Sequence, residues 1–165
     1  DNARVSGNAR VYDNAVVYGN ALVYGDAKVY DDAEVFDNAR VSGNAEVSGN
    51  ALVYGDAKVY GDAKVFDNAR VSGDVQVCDN AKVSGNTKVY GDVQVSKTPV
   101  RIPRSDGYDF IIAPCADNID RIIAGCRYFT YEEADKHWNK EHKMYAETTM
   151  ILRSLKELYE LQKTT

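Results

Sequence analysis

Four side chains in the last third of the chain have the composition of a reactive site: Cys115, Cys126, His137 and His142. Two thiols and two imidazoles are the soft and borderline ligands that suit zinc. A cysteine beside a histidine, such as Cys126 with His137, is also the elementary pair of nucleophile and base. The spacing supports neither. Ten residues separate Cys115 from Cys126, ten separate Cys126 from His137, and four separate the two histidines, which is not a recognised ligand spacing. No catalytic residue, metal or cofactor is therefore expected, and buried structural cysteine is the expected role of the thiols. Whatever these residues do depends on the elements that hold them, and most of the chain is built on a different plan.

That plan is a six-residue period. From Asp1 to Ser96 the chain reads as sixteen consecutive hexads of the form [G/D]-[N/D]-A-x-V-[Y/S/F], beginning DNARVS, GNARVY, DNAVVY, GNALVY and ending GDVQVS. The fifth position is always Val, from Val5 to Val95, and the third is Ala except at Val75, Thr87 and Val93. Residues two apart on an extended segment share a face, so Ala and Val point inward while position four, occupied by Arg4, Lys28, Glu34 and Arg70 among others, points to water. Gly or Asp followed by Asn or Asp tolerates left-handed backbone and forms local turns, so each hexad is one short strand and one corner. Arms this short cannot make a meander of hairpins, but they can coil. Three hexads close a triangular turn, and strands pair in parallel with their counterparts in the next turn, about 4.8 Å away. The expected fold is an all-β solenoid, a left-handed parallel β-helix of about five coils with a small C-terminal α/β tail ending in helices.

Composition narrows the partners. Lys and Arg total 20 against 25 Asp and Glu, and the acidic excess lies wholly in residues 1–96, since residues 97–165 balance eleven basic with eleven acidic side chains. An acidic array disfavours general nucleic-acid binding through phosphate neutralisation. Three cysteines without dense spacing fit a reducing compartment, so a cytoplasmic location is expected. No apolar run approaches the roughly 20 residues that cross a bilayer, and no signal-peptide pattern opens the chain. Asp1 already stands inside a repeat, which leaves room for an upstream capping segment.

The array resembles the hexapeptide-repeat left-handed β-helix superfamily, in which an aliphatic residue recurs with a small one two residues before it, here Val5 with Ala3 and onward. Its G-N-A-x-V-Y variant, with Tyr, Ser or Phe after the Val, is similar to uncharacterised bacterial and phage repeat proteins of the YdcK-like kind. The resemblance implies a homotrimer. It also implies what is missing: acyltransferases of this fold use a His near an extended loop, and its zinc carbonic anhydrases use three His at subunit interfaces. This array contains no His and no insertion.

Positions 18 apart stack into columns, so three unequal faces can be written down. One carries Val16, Glu34, Leu52, Arg70 and Lys88 beside Tyr18, Phe36, Tyr54, Ser72 and Tyr90, and its N-terminal half, Val16, Tyr18, Phe36, Leu52 and Tyr54, is apolar. A second mixes aromatics with positive charge in Arg10, Tyr12, Lys28, Tyr30, Lys64, Phe66 and Lys82. The third carries Ser6, Tyr24, Ser42, Tyr60, Cys78 and Ser96. Aromatic columns stabilise a narrow prism by stacking across rungs, yet a continuous apolar patch also marks a contact surface. Single-stranded nucleic acid on the basic-aromatic face is disfavoured by corner acids such as Asp26 and Asp62.

After Ser96 the frame breaks at KTPVRIPRSDGY, and residues 97–107 read as a linker in which Pro99 and Pro103 end regular pairing. Residues 108–165 read as an α/β cap: YDFIIAP and RIIAGCRYF are two β segments around CADN, and Thr130 with Glu133 forms a capping box for a helix running to His137 or Lys140. A second helix, near 143–162, presents Ile151, Leu152, Leu155, Leu158 and Tyr159 on one face as a tail interface, either closing the solenoid end or forming a stalk across a trimer axis.

These readings lead to a non-enzymatic binding or scaffolding protein, a homo-oligomer with the trimer favoured, presenting rigid faces to a protein partner, with neither nucleic acid nor membrane as target. The phage resemblance extends this to an inhibitor of a host defence system in the host cytoplasm. The alternative is a nucleotide-binding or sequestering oligomer, or a lapsed hexapeptide-type transferase, with pockets between subunits.

Overall fold

The computed structural model describes residues 2–113, 119–124, 127–138 and 143–163, which divide into two compact units, residues 1–98 and 99–165. In the first unit every hexad contributes one two-residue strand, giving sixteen strands (β1–β16) from Arg4–Val5 to Gln94–Val95. Strand n pairs in parallel with strand n+3, which sorts them into three sheets of six, five and five strands. The register is exact 18-residue repetition: Arg4 lies opposite Leu22, Leu22 opposite Arg40, and Arg40 opposite Lys58. The chain is a parallel β-solenoid of about five coils, as the hexads require.

The core follows from the pattern. From Ala21 onward, Ala and Val at the third and fifth positions are fully buried through Val71, with Val23, Val53 and Ala51 all at 0% exposure. The inward positions are lined by Ala and Val with Thr87 as the one polar exception, so the solenoid's polar bonding lies in the backbone, the corners and the outer faces. Backbone bonds join each coil to the next, as in Arg4 N–H to the Ala21 carbonyl (2.9 Å) and Leu22 N–H to that of Ala39 (2.9 Å).

The corners make a second ladder. The second-position Asn donates its Nδ2 to the Asn or Asp of the following coil: Asn8 to Asp26 (3.0 Å), Asn44 to Asp62 (3.0 Å), Asn20 to Asn38 (3.2 Å) and Asn38 to Asp56 (3.2 Å). The first corner position is left-handed whether it is Gly or Asp. At Gly49 (φ +67°) an added Cβ would stand 2.9 Å from the Asp67 backbone N and O. Asp31 (φ 58°) adopts the same conformation and offsets the strain of an L residue there by accepting a hydrogen bond from Gly49 N–H one coil on, at 3.0 Å. Asp67 does the same with Gly85.

The second unit is an antiparallel sheet of β17 (Val100–Pro103), β18 (Asp109–Ala113), β19 (Arg121–Ala124) and β20 (Arg127–Phe129), in that order, with helices α1 (Tyr131–His137) and α2 (Tyr145–Lys163). Two expectations change here. Residues 100–103 are not linker but an edge strand, paired from Val100 with Ile112 to Pro103 with Asp109; an edge and a strand terminus are where a missing proline N–H costs no ladder bond. RIIAGCRYF is not one segment but two paired strands, with Ala124 opposite Arg127. The capping box holds: Glu133 N–H donates to Thr130 Oγ1 (3.2 Å), and Thr130 N–H to Glu133 Oε2 (2.8 Å).

The core of this unit packs Phe110, Ile112 and Ile122 against Trp138, Ile151, Leu152, Leu155 and Tyr159. The turn between β17 and β18 is tied to the start of α2. Ser105 gives its N–H and hydroxyl to the two oxygens of Glu147, each at 2.7 Å. The Arg104 guanidinium, only 7% exposed, donates twice to Asp106 (2.9 and 2.7 Å) and once to Thr148 Oγ1 (3.0 Å), and it lies over the Tyr108 ring.

Val53→Ala removes two methylene equivalents from a closed core and should cost about 2 kcal/mol, whereas Leu52→Ala, one residue away on the outward side, should cost under about 1 kcal/mol. Urea unfolding midpoints compare them, and equal costs would contradict the inward assignment. Hydrogen bonding to Arg104 holds the Asp106 carboxyl down to about 2 from the ordinary 3.8. A depressed folded-state pKa contributes stability above the unfolded value and loses it as pH falls through the folded one. The melting temperature of Asp106→Asn should therefore lie below that of wild type near neutrality, with the gap closing as pH drops from about 4 towards 2; a gap that stays constant through that window would exclude the pair as its origin.

Candidate functional site

The candidate surfaces are the outward positions of the three sheets, each fixed by strand register. On the sheet that begins at Val16–Val17, the rings of Tyr18 and Phe36 stack at 4.9 Å and 6°, and those of Phe36 and Tyr54 at 4.9 Å and 1°. The separation is the coil-to-coil distance itself, so parallel stacking comes from the register. Beside the rings stand Val16 and Leu52, with Glu34 between them. Glu34 receives a hydrogen bond from Tyr18 Oη at 3.3 Å, and partial desolvation together with that carboxylate raises the Tyr18 phenol pKa. Val16 is 47% and Tyr18 37% exposed. The column ends where Ser72 replaces an aromatic and Arg70 follows Leu52.

The sheet that begins at Arg10–Val11 carries the basic-aromatic residues, and two interactions change its character. Tyr12 and Tyr30 stack at 5.1 Å and 2°, but Ser48 interrupts the column before Phe66. Glu46, in register between Lys28 and Lys64, bonds both amines, at 3.2 and 2.8 Å. The Lys64 hydrogen bond, with that of Lys28, lowers the Glu46 pKa and raises that of Lys64. Two of the four cations expected on this face are thus engaged by one carboxylate, while Arg10 and Lys82 stand at its ends. Glu46 was visible in the 18-residue column; its role as a bridge required the register.

The six-stranded sheet presents a polar groove of about 500 Å³, in which Arg40, Lys58 and Gln76 run beside Asp56, Asp74 and Asp92. Here the asparagine ladder gives way to successive aspartates, so Asp56 still accepts from Asn38 but offers no donor to Asp74. On the other flank, Tyr60 Oη donates to Gln76 (3.2 Å), and the buried Cys78 thiol lies 3.5 Å from Asp79 Oδ2 and 3.6 Å from Gln94 Nε2.

The reactive-residue candidates do not assemble within the described residues. Cys115, Cys126 and His142 lie outside them. His137, at the end of α1, stacks on Phe129 (5.0 Å) and meets the Trp138 ring edge-on (4.7 Å). Among the described residues, no three His, Cys, Asp or Glu side chains are grouped to hold a metal ion, and no described helix is long and apolar enough to cross a membrane. Of the expected tail interface, Ile151, Leu152, Leu155 and Tyr159 are at most 6% exposed and face their own unit's core, with Tyr159 Oη donating to Asp120 (3.0 Å). A 3.6-residue period marks the buried side of a helix without saying what buries it, and here the sheet does. Leu158 alone of the five stays exposed.

The YdcK Beta solenoid repeat model matches residues 3–19 and 63–79. No curated protein and no solved structure matches the chain. With the hexad running unbroken through five coils of parallel strands, the chain is a hexapeptide-repeat parallel β-solenoid whose repeats are similar to the YdcK beta solenoid repeat.

Proposed function

We propose that this chain is a non-enzymatic binding protein whose rigid solenoid faces recognise a protein partner. The observation that supports the reading is the apolar column of Val16, Tyr18, Phe36, Leu52 and Tyr54. Its rings are ordered by stacking, so little side-chain entropy remains to be lost on contact, and its N-terminal end is substantially exposed. Rigid aromatics flanked by aliphatic side chains are the composition of interface centres. The opposing consideration, that such columns serve only the prism, applies equally to Tyr12 and Tyr30, but there the neighbours are Arg10 and Lys28 rather than Val and Leu.

The partner is a protein that buries this column; a further copy of the chain, as in the homotrimer implied by the hexapeptide resemblance, is one such protein. Val16→Lys combined with Leu52→Lys changes only outward positions and should leave the urea midpoint nearly unchanged while removing the partner. Light scattering and affinity capture on wild type and variant read this out. Loss of a trimer or of a captured protein in the variant is the expected result. Identical assembly and an identical captured set from both proteins would sink the proposal.

A further inference from the structure

The sheet that carries the apolar column does not stay apolar. In register beyond Leu52 stand Arg70 and then Lys88, both exposed, with Ser72 in the place that an aromatic ring holds one coil earlier. Two cations directly opposite one another on neighbouring strands repel. The other two sheets set acids against their cations: Glu46 bonds Lys28 and Lys64, and Asp56, Asp74 and Asp92 line the groove with Arg40 and Lys58. Here neither side chain has an ion pair among the described residues. The corner acids nearest in the chain are turned to other tasks, Asp67 to the Gly85 N–H at 3.0 Å and Asp74 and Asp92 to the groove of the six-stranded sheet. One face thus passes from stacked rings and aliphatic side chains to a bare cation pair within two coils, about 10 Å.

We propose that the partner of this face is a protein segment that is itself apolar at one end and acidic at the other, its carboxylates neutralising Arg70 and Lys88 while its apolar side chains cover Phe36, Leu52 and Tyr54. The inference rests on the proposed function and adds the partner's charge and direction. Apolar contact sets one end of the segment on the early coils, and the cations set its acidic end on the late ones. A carboxylate between Arg70 and Lys88 does from outside what Glu46 does within the neighbouring sheet, and the Arg70 guanidinium can hold it through two parallel hydrogen bonds. Nucleic acid fits the same cations poorly. Its phosphates recur along the whole strand, whereas the first three coils of this face offer Val16, Glu34 and Leu52 and no cation.

A random peptide library displayed on phage and panned on the full chain tests this. Enriched peptides should combine aromatic or aliphatic residues with at least two Asp or Glu. As synthetic peptides they should bind about tenfold or more weakly to Arg70→Glu plus Lys88→Glu, and more weakly to wild type as salt rises. The same peptides with their acids exchanged for Lys should recover binding to the double glutamate variant, a gain that damage to the fold cannot produce. Enriched peptides that carry no acids and ignore this variant, yet are lost on Val16→Lys plus Leu52→Lys, overturn the acidic partner and leave the proposed function standing. Indifference to both variants counts against both readings, and a library that yields no enriched peptide overturns this one. Oligothymidylate that binds wild type but not the double glutamate variant, or a homo-oligomer that this variant dissociates, gives the cations another occupant and overturns the proposal as well.

Discussion

The interaction on which the rest of the solenoid depends is the contact of each coil with the next in exact 18-residue register. A two-residue strand cannot hold a sheet by itself, and a hexad buries only one Ala and one Val. Stacked in register, the same hexad closes the backbone ladder, seals the core and lets corner asparagines such as Asn8, Asn20 and Asn44 reach the residue that follows by 18. These three contributions share one geometry. A slip of one residue would turn every inward valine outward, so the ladder, the core and the corners specify the same alignment.

The same register explains the surfaces. Side chains that are distant in sequence stand about 4.8 Å apart on the prism, close enough for rings to stack and for one carboxylate to reach two amines. Which of these outcomes a face shows depends on what recurs at one position of every third hexad. Glu46 between Lys28 and Lys64 turns a basic face into a partly neutralised one, while Glu34 between Val16 and Leu52 binds a tyrosine hydroxyl and leaves the apolar column continuous on either side.

Much of this was legible from the residues because the hexad states its own geometry. Alternating Ala and Val at positions three and five give the inward side, and Gly or Asp at position one gives the left-handed corner, confirmed at Asp31 and Gly49. The asparagine ladder and the Glu46 bridge were harder, because they depend on side-chain direction and on the polarity of the stack, which periodicity alone does not carry. Prolines at 99 and 103 suggested an end to pairing, yet an edge strand accepts Pro103 because no neighbour needs its N–H. The helical period puts Ile151, Leu152, Leu155 and Tyr159 on one side of α2 together with Leu158, which stays exposed, and amphipathicity cannot distinguish a helix that covers its own sheet from one that meets another molecule. For the candidate surfaces, columns could be listed in advance, while exposure, which decides among them, required the structure.

The pairing of strand n with strand n+3 has a consequence for how such a chain can change length. Adding or deleting 18 residues lengthens or shortens the prism and leaves every downstream column on its original side. Adding or deleting six residues also preserves the fold, since one hexad fits as well as another, but it rotates everything downstream by a third of a turn. Tyr54 and Leu52 would then leave the column of Phe36 and Tyr18 for a neighbouring side. Such a protein can therefore exchange whole surface motifs between sides by an insertion that its core scarcely registers.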